Sequence, residues 1–276
     1  MTGISFKRIG TNLNTIDLSH FFSKINEILI GKINFGISCS REFLDMIKKY
    51  KITALFCLFA IIAFGQNLTY KNHEFELNNV KASVVKLKGQ KVVKLERDLE
   101  ALPFDKNNMV STVDEPTFAK LKGVTFENGI IEVKVMSRLL DSAPDFARGF
   151  IGVAFGIDES NSIFQSIYLR PTNGRSQNQF RRNHSVQYFS YPNYKFDRLR
   201  KEFPETYETY ADIDLDEWIT LRLEVNDFKV HLYINGQKDP SFIVEEMKGD
   251  IKNGSVALWV DIGTEGYFKD LKIIKK

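Results

Sequence analysis

From Phe75 to the end of the chain, apolar and polar residues alternate with a period of two in one segment after another. Successive side chains of a strand point to opposite faces of its sheet, so this period is typical of strands with one buried face. Turn-forming residues separate the segments, and no long stretch has a helical period, which predicts about ten to twelve short strands. We therefore expect an all-β protein, a two-sheet antiparallel jelly-roll sandwich.

The clearest unit is "EWITLRLEVNDFKVHLYING" (Glu217–Gly236), in which two alternating segments flank Asn226 and Asp227. Both of these residues tolerate positive φ, so the pattern predicts a hairpin with a two-residue turn at this point and with Phe228 on the core face. The turn sets the expected register. The predicted pairs are Leu221–Leu232, Leu223–Val230, Arg222–His231 and Thr220–Tyr233.

Aromatic residues alternate with the apolar ones, which predicts rings on the face of each sheet that is not core. These residues are Phe164, Tyr168, Trp218, Tyr233 and Trp259, with Arg170 and Asp261 on the same faces. "GFIGVAFGID" adds Gly152, Ala154 and Gly156, nearly bare of side chains, where another molecule could approach the backbone. We expect a ligand there, and the alternative is that the chain's own long loops cover the rings.

The segment "RRNHSVQYFSYPNY" (181–194) and the residues after it support a ligand site. The stretch up to Glu217 has no clear alternation, and loops beyond roughly 12–15 residues are uncommon unless they are functional or disordered. Tyrosines suit a half-exposed rim, and the Arg, His and Gln side chains supply hydrogen-bond donors. A folded Ω-type loop packed on its own rings is the alternative. The predicted ligand-binding residues are Tyr168, Arg170, Arg182, His184, Gln187, Tyr191, Tyr194 and Trp218.

Residues 46–65 have the features of a signal peptide. Lysines at 48, 49 and 51 precede Ile52–Phe64, an uncharged apolar run of 13 residues. A membrane span needs about 20 such residues, whereas a signal peptide has a shorter apolar region and small residues before its cleavage site, here ahead of Gln66.

The expected organisation is therefore an upstream extension from a misassigned start (1–45), a signal peptide (46–65) and a single β-sandwich domain (66–276). We expect the mature protein to be periplasmic, secreted or at the cell surface, without a stable membrane span. A retained membrane anchor is the alternative. A lipoprotein has weaker support, because the residue before Cys57 is not small.

Removal of the leader changes the charge and the cysteine content. Residues 1–65 carry eight of the 38 Lys and Arg and four of the 35 Asp and Glu, which leaves 30 basic and 31 acidic side chains. A net charge near zero gives no indication of a nucleic-acid partner. Both cysteines, Cys39 and Cys57, lie in the leader, so we expect neither a disulfide nor thiol chemistry in the mature domain.

Several segments resemble the concanavalin A-like lectin/glucanase superfamily over roughly residues 75–274, and within it laminin-G-like domains and bacterial 3-keto-disaccharide hydrolases. The most recognisable segments are "DEWITLRLEV" with "LYINGQ", and "GSVALWVDIGTEGYFKDLKI"; the others are "FENGIIEVKV", "RGFIGVAFG", "IYLRPTNG" and "RRNHSVQYFSYPNY". The resemblance implies the sandwich fold and a role in glycan use. These are signatures of a fold more than of an active site.

Catalytic chemistry has a weaker basis in the sequence. A glycosidase needs two carboxyls, and the Glu-x-Asp-x-x-Glu run of related laminarinases is absent. The candidate acids are Glu208, Asp212 and Asp214. The acidic stretch "DIDLDE" (212–217) is either a solvated turn or, with less support, a calcium site, since it lacks the glycine and distal glutamate of a calcium loop. No histidine spacing predicts a metal site, and we expect no cofactor otherwise.

Three functions stay open on the sequence alone. The first is a carbohydrate-binding domain for an oligosaccharide or polysaccharide, acidic glycans included. The second is a glycan-cleaving hydrolase of the 3-keto-disaccharide hydrolase or glucanase kind. The third is an adhesion module that binds protein, in which the aromatic and arginine-rich segment would be an interface.

Overall fold

The computed structural model describes residues 67–250 and 253–276 of the 276-residue chain. Within these ranges the helices are short: α1 (Pro171–Gly174), α2 (Gln179–Arg182), α3 (Phe196–Glu202) and a 3-10 turn (Met109–Ser111). The same ranges contain fifteen strands. They are β1 (Asn67–Tyr70), β2 (His73–Asn78), β3 (Val80–Leu87), β4 (Gln90–Arg97), β5 (Phe118–Leu121), β6 (Gly129–Leu139), β7 (Ile151–Ile157), β8 (Phe164–Leu169), β9 (Val186–Tyr191), β10 (Glu208–Thr209), β11 (Ile219–Asn226), β12 (Lys229–Ile234), β13 (Phe242–Val244), β14 (Ser255–Val260) and β15 (Thr264–Lys275).

The strands form two sheets. Sheet A has eight strands in the order β1-β2-β5-β14-β7-β8-β9-β10, and sheet B has seven in the order β13-β12-β11-β6-β15-β4-β3. Neighbouring strands are antiparallel throughout both sheets. The predicted all-β, two-sheet antiparallel jelly-roll sandwich is confirmed. The strand number exceeds the prediction because strands as short as β10 and β13 do not show a period of two.

The two sheets share an apolar core that follows the alternation in the sequence. Leu221 and Leu223 of β11 are fully buried, as are Ile131 and Val133 of the neighbouring β6. These side chains belong to the same buried cluster as Val153 of sheet A. Burial of an aliphatic side chain contributes about 1.5–3 kcal/mol, so this layer supplies much of the stability of the sandwich.

The β11–β12 hairpin has a register two residues away from the predicted one. The turn consists of Asp227, at φ +54°, and Phe228, which is exposed instead of facing the core. A shift of two residues keeps the remaining side chains of both strands on their expected faces, so the core is unaffected. The observed pairs are Leu221–Ile234, Arg222–Tyr233, Leu223–Leu232 and Glu224–His231.

The outer face of sheet A, which is turned away from sheet B, carries an unusual number of rings. Phe118, Phe164, Tyr168, Phe189 and Trp259 are all fully buried there. The prediction of an open ring-bearing face is therefore wrong for sheet A. A period of two identifies the faces of a sheet but carries no information on the irregular segments that cover one of them.

Two segments of the chain cover these rings. One precedes β5, and the indole Nε1 of Trp259 donates to the carbonyl oxygen of its Glu115 at 2.9 Å. The other follows β9, whose last residue, Tyr191, stacks on Phe164 with ring centroids 5.0 Å apart. Lys195 then links the two covering segments, because its Nζ bonds to the Glu115 carboxylate. The alternative stated above, that the chain's own loops cover the rings, describes this face.

The glycine-rich stretch of β7 makes room for the packing of these rings. A Cβ added at Gly152 would lie 2.2 Å from the carbonyl oxygen of Ile167 and 2.6 Å from the Cα of Tyr168. The absence of a side chain lets the rings of Tyr168 and Trp259 meet above the strand, with centroids 4.9 Å apart. The space predicted for another molecule is filled by the protein's own rings.

The upstream extension (1–45) and the signal peptide (46–65) lie outside the described residues and stay predictions. The described ranges contain no helix with the length and apolar character that crossing a bilayer would require.

Candidate functional site

A pocket of about 220 Å³ opens on the outer face of sheet A, beside the end of β8. It is lined by parts of residues 109–114, 146–150, 168–184 and 196–200, and by Asp261 just after β14. These are the irregular segments that cover the sheet, so the pocket is a gap between the covers and the edge of the ring-bearing face.

Arg170 is the buried basic residue at the base of the pocket, directly after β8. Its guanidinium donates to the Tyr168 hydroxyl at 2.8 Å, to Gln187 Oε1 at 3.1 Å and to Glu208 Oε1 at 2.9 Å. Three acceptors from three strands hold one planar group, so the orientation of Arg170 is fixed by the sheet.

Glu208 lies beside the pocket and anchors its cations. Its carboxylate accepts from Arg170 and from Arg200 (Nε at 2.8 Å), and His184 Nε2 lies 3.2 Å from its Oε2. Burial raises the pKa of Glu208, but the hydrogen bond from Arg200 and the charges of Arg170 and Arg200 outweigh it and hold the pKa below its usual range. A carboxyl held ionised in this way is suited to positioning, whereas a general acid needs a raised pKa.

The other two candidate acids lie away from Glu208. Asp212 and Asp214 are on the surface and pair with Arg175 at 2.8 Å and 3.8 Å. The structure thus does not bring the three predicted acids together at one site, and neither surface carboxylate lines the pocket.

The acidic stretch 212–217 has arginine partners. Besides Asp212 and Asp214, Glu217 pairs with Arg175 at 2.6 Å, and Asp216 pairs with Arg138. Across the part of the chain that the structure describes, no group of three His, Cys, Asp or Glu side chains could hold a metal ion. Calcium binding here stays a prediction without a preformed ligand set.

Asp114 is the carboxyl group in the pocket that sequence reasoning missed. It is buried, and its Oδ2 accepts from the backbone N–H of Phe196 at 2.9 Å. Burial raises the pKa of Asp114 to about 6, and the negative charge of Asp261 adds to the rise, while the Phe196 N–H, Arg170 and Lys195 oppose it. Asp114 therefore changes its charge within the range of ordinary biological pH.

Asp261 lines the pocket as well, but its carboxylate is engaged. It forms a buried ion pair with Arg97 at 2.7 Å and accepts from the backbone N–H groups of Asp114 at 2.9 Å and Ile262 at 2.7 Å. Burial raises the pKa of Asp261, whereas Arg97 opposes the rise. The sequence placed Asp261 on the same face as Trp259, correctly, but exposed, and it is buried.

Two further arginines line the pocket without a carboxylate partner among residues 67–250 and 253–276. Arg148 donates to the carbonyl oxygens of Asp145 and Ala147, both at 2.7 Å. Arg181 donates to the side chain of Asn173 at 3.1 Å and to Thr172 at 3.2 Å. Both guanidinium groups are half-buried, so they are positive charges held by neutral acceptors.

Aromatic rings complete the walls and the rim. Phe150 and Phe196 line the pocket, and Phe180 stands at its mouth with 65% of its surface exposed. The Phe180 ring lies 4.4 Å from that of His184. A flat apolar ring beside fixed planar donors can pack against one face of a cyclic ligand while binding its polar groups at the edge.

Three of the eight predicted ligand-binding residues line the pocket, namely Tyr168, Arg170 and His184. Gln187 lies behind them, fully buried, and accepts from Arg170. The residues that the structure places at this site thus come from the two neighbouring strands β8 and β9 and the segment between them.

The other four lie elsewhere. Tyr191 and Tyr194 line a second, less charged hollow of about 310 Å³. Arg182 donates to a tyrosine hydroxyl at 2.8 Å, outside the pocket. Trp218 is on the outer face of sheet B, with Lys269 Nζ 4.0 Å from its ring centroid. The role of these residues in binding stays a prediction.

Sequence reasoning missed several pocket residues, and their signals differ. Phe180 directly precedes the segment 181–194, which is rich in rings and hydrogen-bond donors, and its ring continues that pattern by one residue. Asp114 and Arg148 lie in irregular segments, and Arg200 lies in the short helix α3. The place of these segments over the sheet has no periodic signal. Covering contacts of this kind join residues that are far apart in the chain.

No protein-family model matches the chain, and no curated protein does. Among solved structures, the chain is similar to the carbohydrate-binding module CBM66 from Bacillus subtilis, with a TM-score of 0.42, 10% identity and coverage of 71% of this chain and 94% of that one. The chain is also similar to a Bacillus licheniformis beta-glucanase, with a TM-score of 0.40, 11% identity and coverage of 76% of this chain and 92% of that one. A third similar structure is domain 4 of a GH43 extracellular arabinanase from Geobacillus stearothermophilus, with a TM-score of 0.38, 16% identity and coverage of 70% of this chain and 74% of that one.

These neighbours are a carbohydrate-binding module, a glucanase and a domain of an arabinanase. Their TM-scores lie below 0.5 and their identities below 25%, so the fold assignment rests on the two sheets described above, and the function rests on the pocket.

Proposed function

We propose that the protein is an exported carbohydrate-binding domain whose pocket holds one terminal sugar of an oligosaccharide or polysaccharide. The observation that carries this proposal is the pocket itself. It places an exposed ring, Phe180, at the mouth of a hollow whose walls present oriented guanidinium groups. Sugars offer an apolar C–H face and a rim of hydroxyls, which is the pattern that such a site complements.

The size of the pocket supports a terminal unit over an internal one. Sites for drug-sized ligands measure roughly 300–1,000 Å³, and this pocket is smaller, at about 220 Å³. Segments from several parts of the chain line it, and we expect a polysaccharide to enter by its end.

Cleavage of the bound glycan is a second candidate, favoured by Asp114. A carboxyl whose pKa is raised to about 6 is suited to protonate a leaving oxygen. A glycosidase also needs a second carboxyl group that is free to act, and Asp261 is engaged by Arg97 and two backbone N–H groups. Binding without cleavage is therefore the primary proposal, and release of sugars that Asp114→Asn abolishes would establish cleavage instead.

The test is isothermal titration of the purified protein with a panel of neutral and acidic oligosaccharides, comparing Phe180→Ala with Phe228→Ala. The two rings are exposed to the same extent, 65% and 64%, but Phe228 is in the β11–β12 turn of sheet B. Loss of the ring at the pocket should weaken binding about tenfold, which is ~1.4 kcal/mol, and Phe228→Ala should leave it unchanged.

Three results would overturn the proposal. One is the absence of binding to every glycan of the panel. Another is equal weakening by both substitutions. The third is capture of a protein partner that soluble glycans do not displace, which would establish the adhesion module.

A further inference from the structure

The charges around the pocket do not balance. Among the described residues, the guanidinium groups that line it or pair with its carboxyls number five, and the carboxyls number three. The guanidinium groups are those of Arg97, Arg148, Arg170, Arg181 and Arg200, and the carboxyls are those of Asp114, Glu208 and Asp261. Protonation of Asp114 would enlarge the positive excess.

The pairing shows where the excess lies. Asp261 forms an ion pair with Arg97, and Glu208 forms ion pairs with both Arg170 and Arg200. Within the described ranges, Arg148 and Arg181 are then left with the neutral acceptors given above. The two uncompensated charges are therefore on the pocket wall, not in the buried network behind it.

These two arginines line the same pocket. Burial lowers the pKa of Arg148, and the positive charges of Arg181 and Arg170 lower it further. Cations that repel one another in a half-buried wall are stabilised by an anion placed between them. A planar carboxylate matches the fork of donors on a guanidinium group.

We propose that the sugar bound in this pocket is a uronic acid, with its carboxylate seated between Arg148 and Arg181. This inference rests on the proposed carbohydrate binding and specifies its ligand. Phe180, the exposed ring of the pocket, contacts the face of the sugar ring.

The test uses the full protein and paired oligosaccharides of galacturonic acid and galactose with the same length and linkage. Titration calorimetry should show at least tenfold tighter binding of the uronate member. Arg148→Gln and Arg181→Gln should each weaken uronate binding about tenfold and weaken galactose binding less. The control is Arg198→Gln on α3, whose guanidinium pairs with Glu202 at 2.9 Å outside the pocket, and it should change neither affinity.

A measurement on the unsubstituted protein keeps the test independent of folding defects in the variants. Binding of the uronate should weaken as salt rises from low ionic strength to 0.5 M, because salt screens the attraction, while galactose binding should not. Equal affinities for the paired ligands would overturn this inference and leave the proposed function intact. Tighter binding of a sulfated galactose oligosaccharide than of the uronate would overturn the assignment of a carboxylate. Absence of binding to every sugar would overturn both proposals.

Discussion

The outer faces of the two sheets carry similar residue types and have opposite surroundings. On sheet A, Trp259 is fully buried and its indole donates to a backbone carbonyl of the covering segment. On sheet B, Trp218 is half-exposed beneath a lysine side chain. The difference shows that an aromatic residue on a non-core position says little about ligand binding until the segments that cover each face are known.

The charged groups of the two faces differ as well. On sheet B, Arg222 pairs with Glu224, and Lys94 pairs with Glu265 at 2.8 Å. These are exposed or half-exposed pairs on a solvated surface, and such pairs contribute about 0–1 kcal/mol each. At the pocket of sheet A the cations outnumber the carboxyls, and two of them lack a charged partner among the described residues. Unbalanced charge in a concave site is the stronger indication of a ligand.

The largest expected difference between the faces is in the two tryptophans. Trp259→Ala should lower the free energy of unfolding by about 3–5 kcal/mol, because it leaves a cavity under the covering segment and removes the hydrogen bond to Glu115. Trp218→Ala should lower it by roughly 1 kcal/mol, since water can fill the space of a half-exposed ring. Urea denaturation of both variants measures this difference, and equal losses would refute the contrast between a covered and an open face.

A second difference concerns two carboxyl groups, Asp114 at the pocket and Glu265 on sheet B. Their substitutions should change the free energy of unfolding at pH 8 in opposite directions. Burial raises the pKa of Asp114 to about 6, so its ionisation opposes folding increasingly as the pH rises from about 4 through 6. Asp114→Asn should therefore stabilise the protein at pH 8 by at most about 3 kcal/mol, roughly two pKa units. The gain should vanish near pH 3.5, where the unfolded chain is also protonated.

Glu265 on sheet B is the counterpart. Burial raises its pKa, but hydrogen bonds from Lys94 and Tyr267 outweigh this and lower the pKa. Its ionised form thus supports folding, and Glu265→Gln should destabilise the protein at pH 8, with the loss disappearing as the pH falls through the lowered pKa. Thermal unfolding of both variants between pH 3.5 and 8 tests the pair. A change of the same sign at pH 8 would contradict the described environments.

The smallest expected effect is on ligand binding. Between pH 7.5 and 5, Asp114 gains a proton and a negative charge leaves the pocket, so a uronate oligosaccharide should bind about tenfold tighter at pH 5. The charged groups near Asp114 are Asp261, Arg170 and Lys195. His184 lines the same pocket, so titration calorimetry of Asp114→Asn is the control, and this variant should lose most of the pH dependence. Unchanged pH dependence in it would exclude Asp114 as the cause.

The sequence predicted the sandwich because the core of a sheet repeats every second residue. Leu221 and Leu223 are buried as expected, and even the error in hairpin register left them on the correct face. Asn226 pairs with Lys229, so the two turn residues are 227 and 228 instead of the predicted 226 and 227. Turn position depends on which adjacent residue adopts positive φ, and Asn and Asp both can.

The site was predictable only in part. Tyr168, Arg170 and His184 were predicted because aromatic rings and hydrogen-bond donors concentrate in and beside β8 and β9. Asp114 and Arg148 reach the pocket through segments without a period, folded across the sheet by contacts far apart in the chain. Their raised and lowered pKa values, which make the pocket distinctive, arise from that burial and have no sequence signal.

The most direct test of the central claim is a crystal structure of the protein with a galacturonate oligosaccharide. We expect the terminal sugar in the pocket of sheet A, with its ring against Phe180 and its carboxylate about 3 Å from donors of Arg148 and Arg181. An oligosaccharide bound on the outer face of sheet B, or held in the pocket with its carboxylate turned toward solvent, would contradict the account.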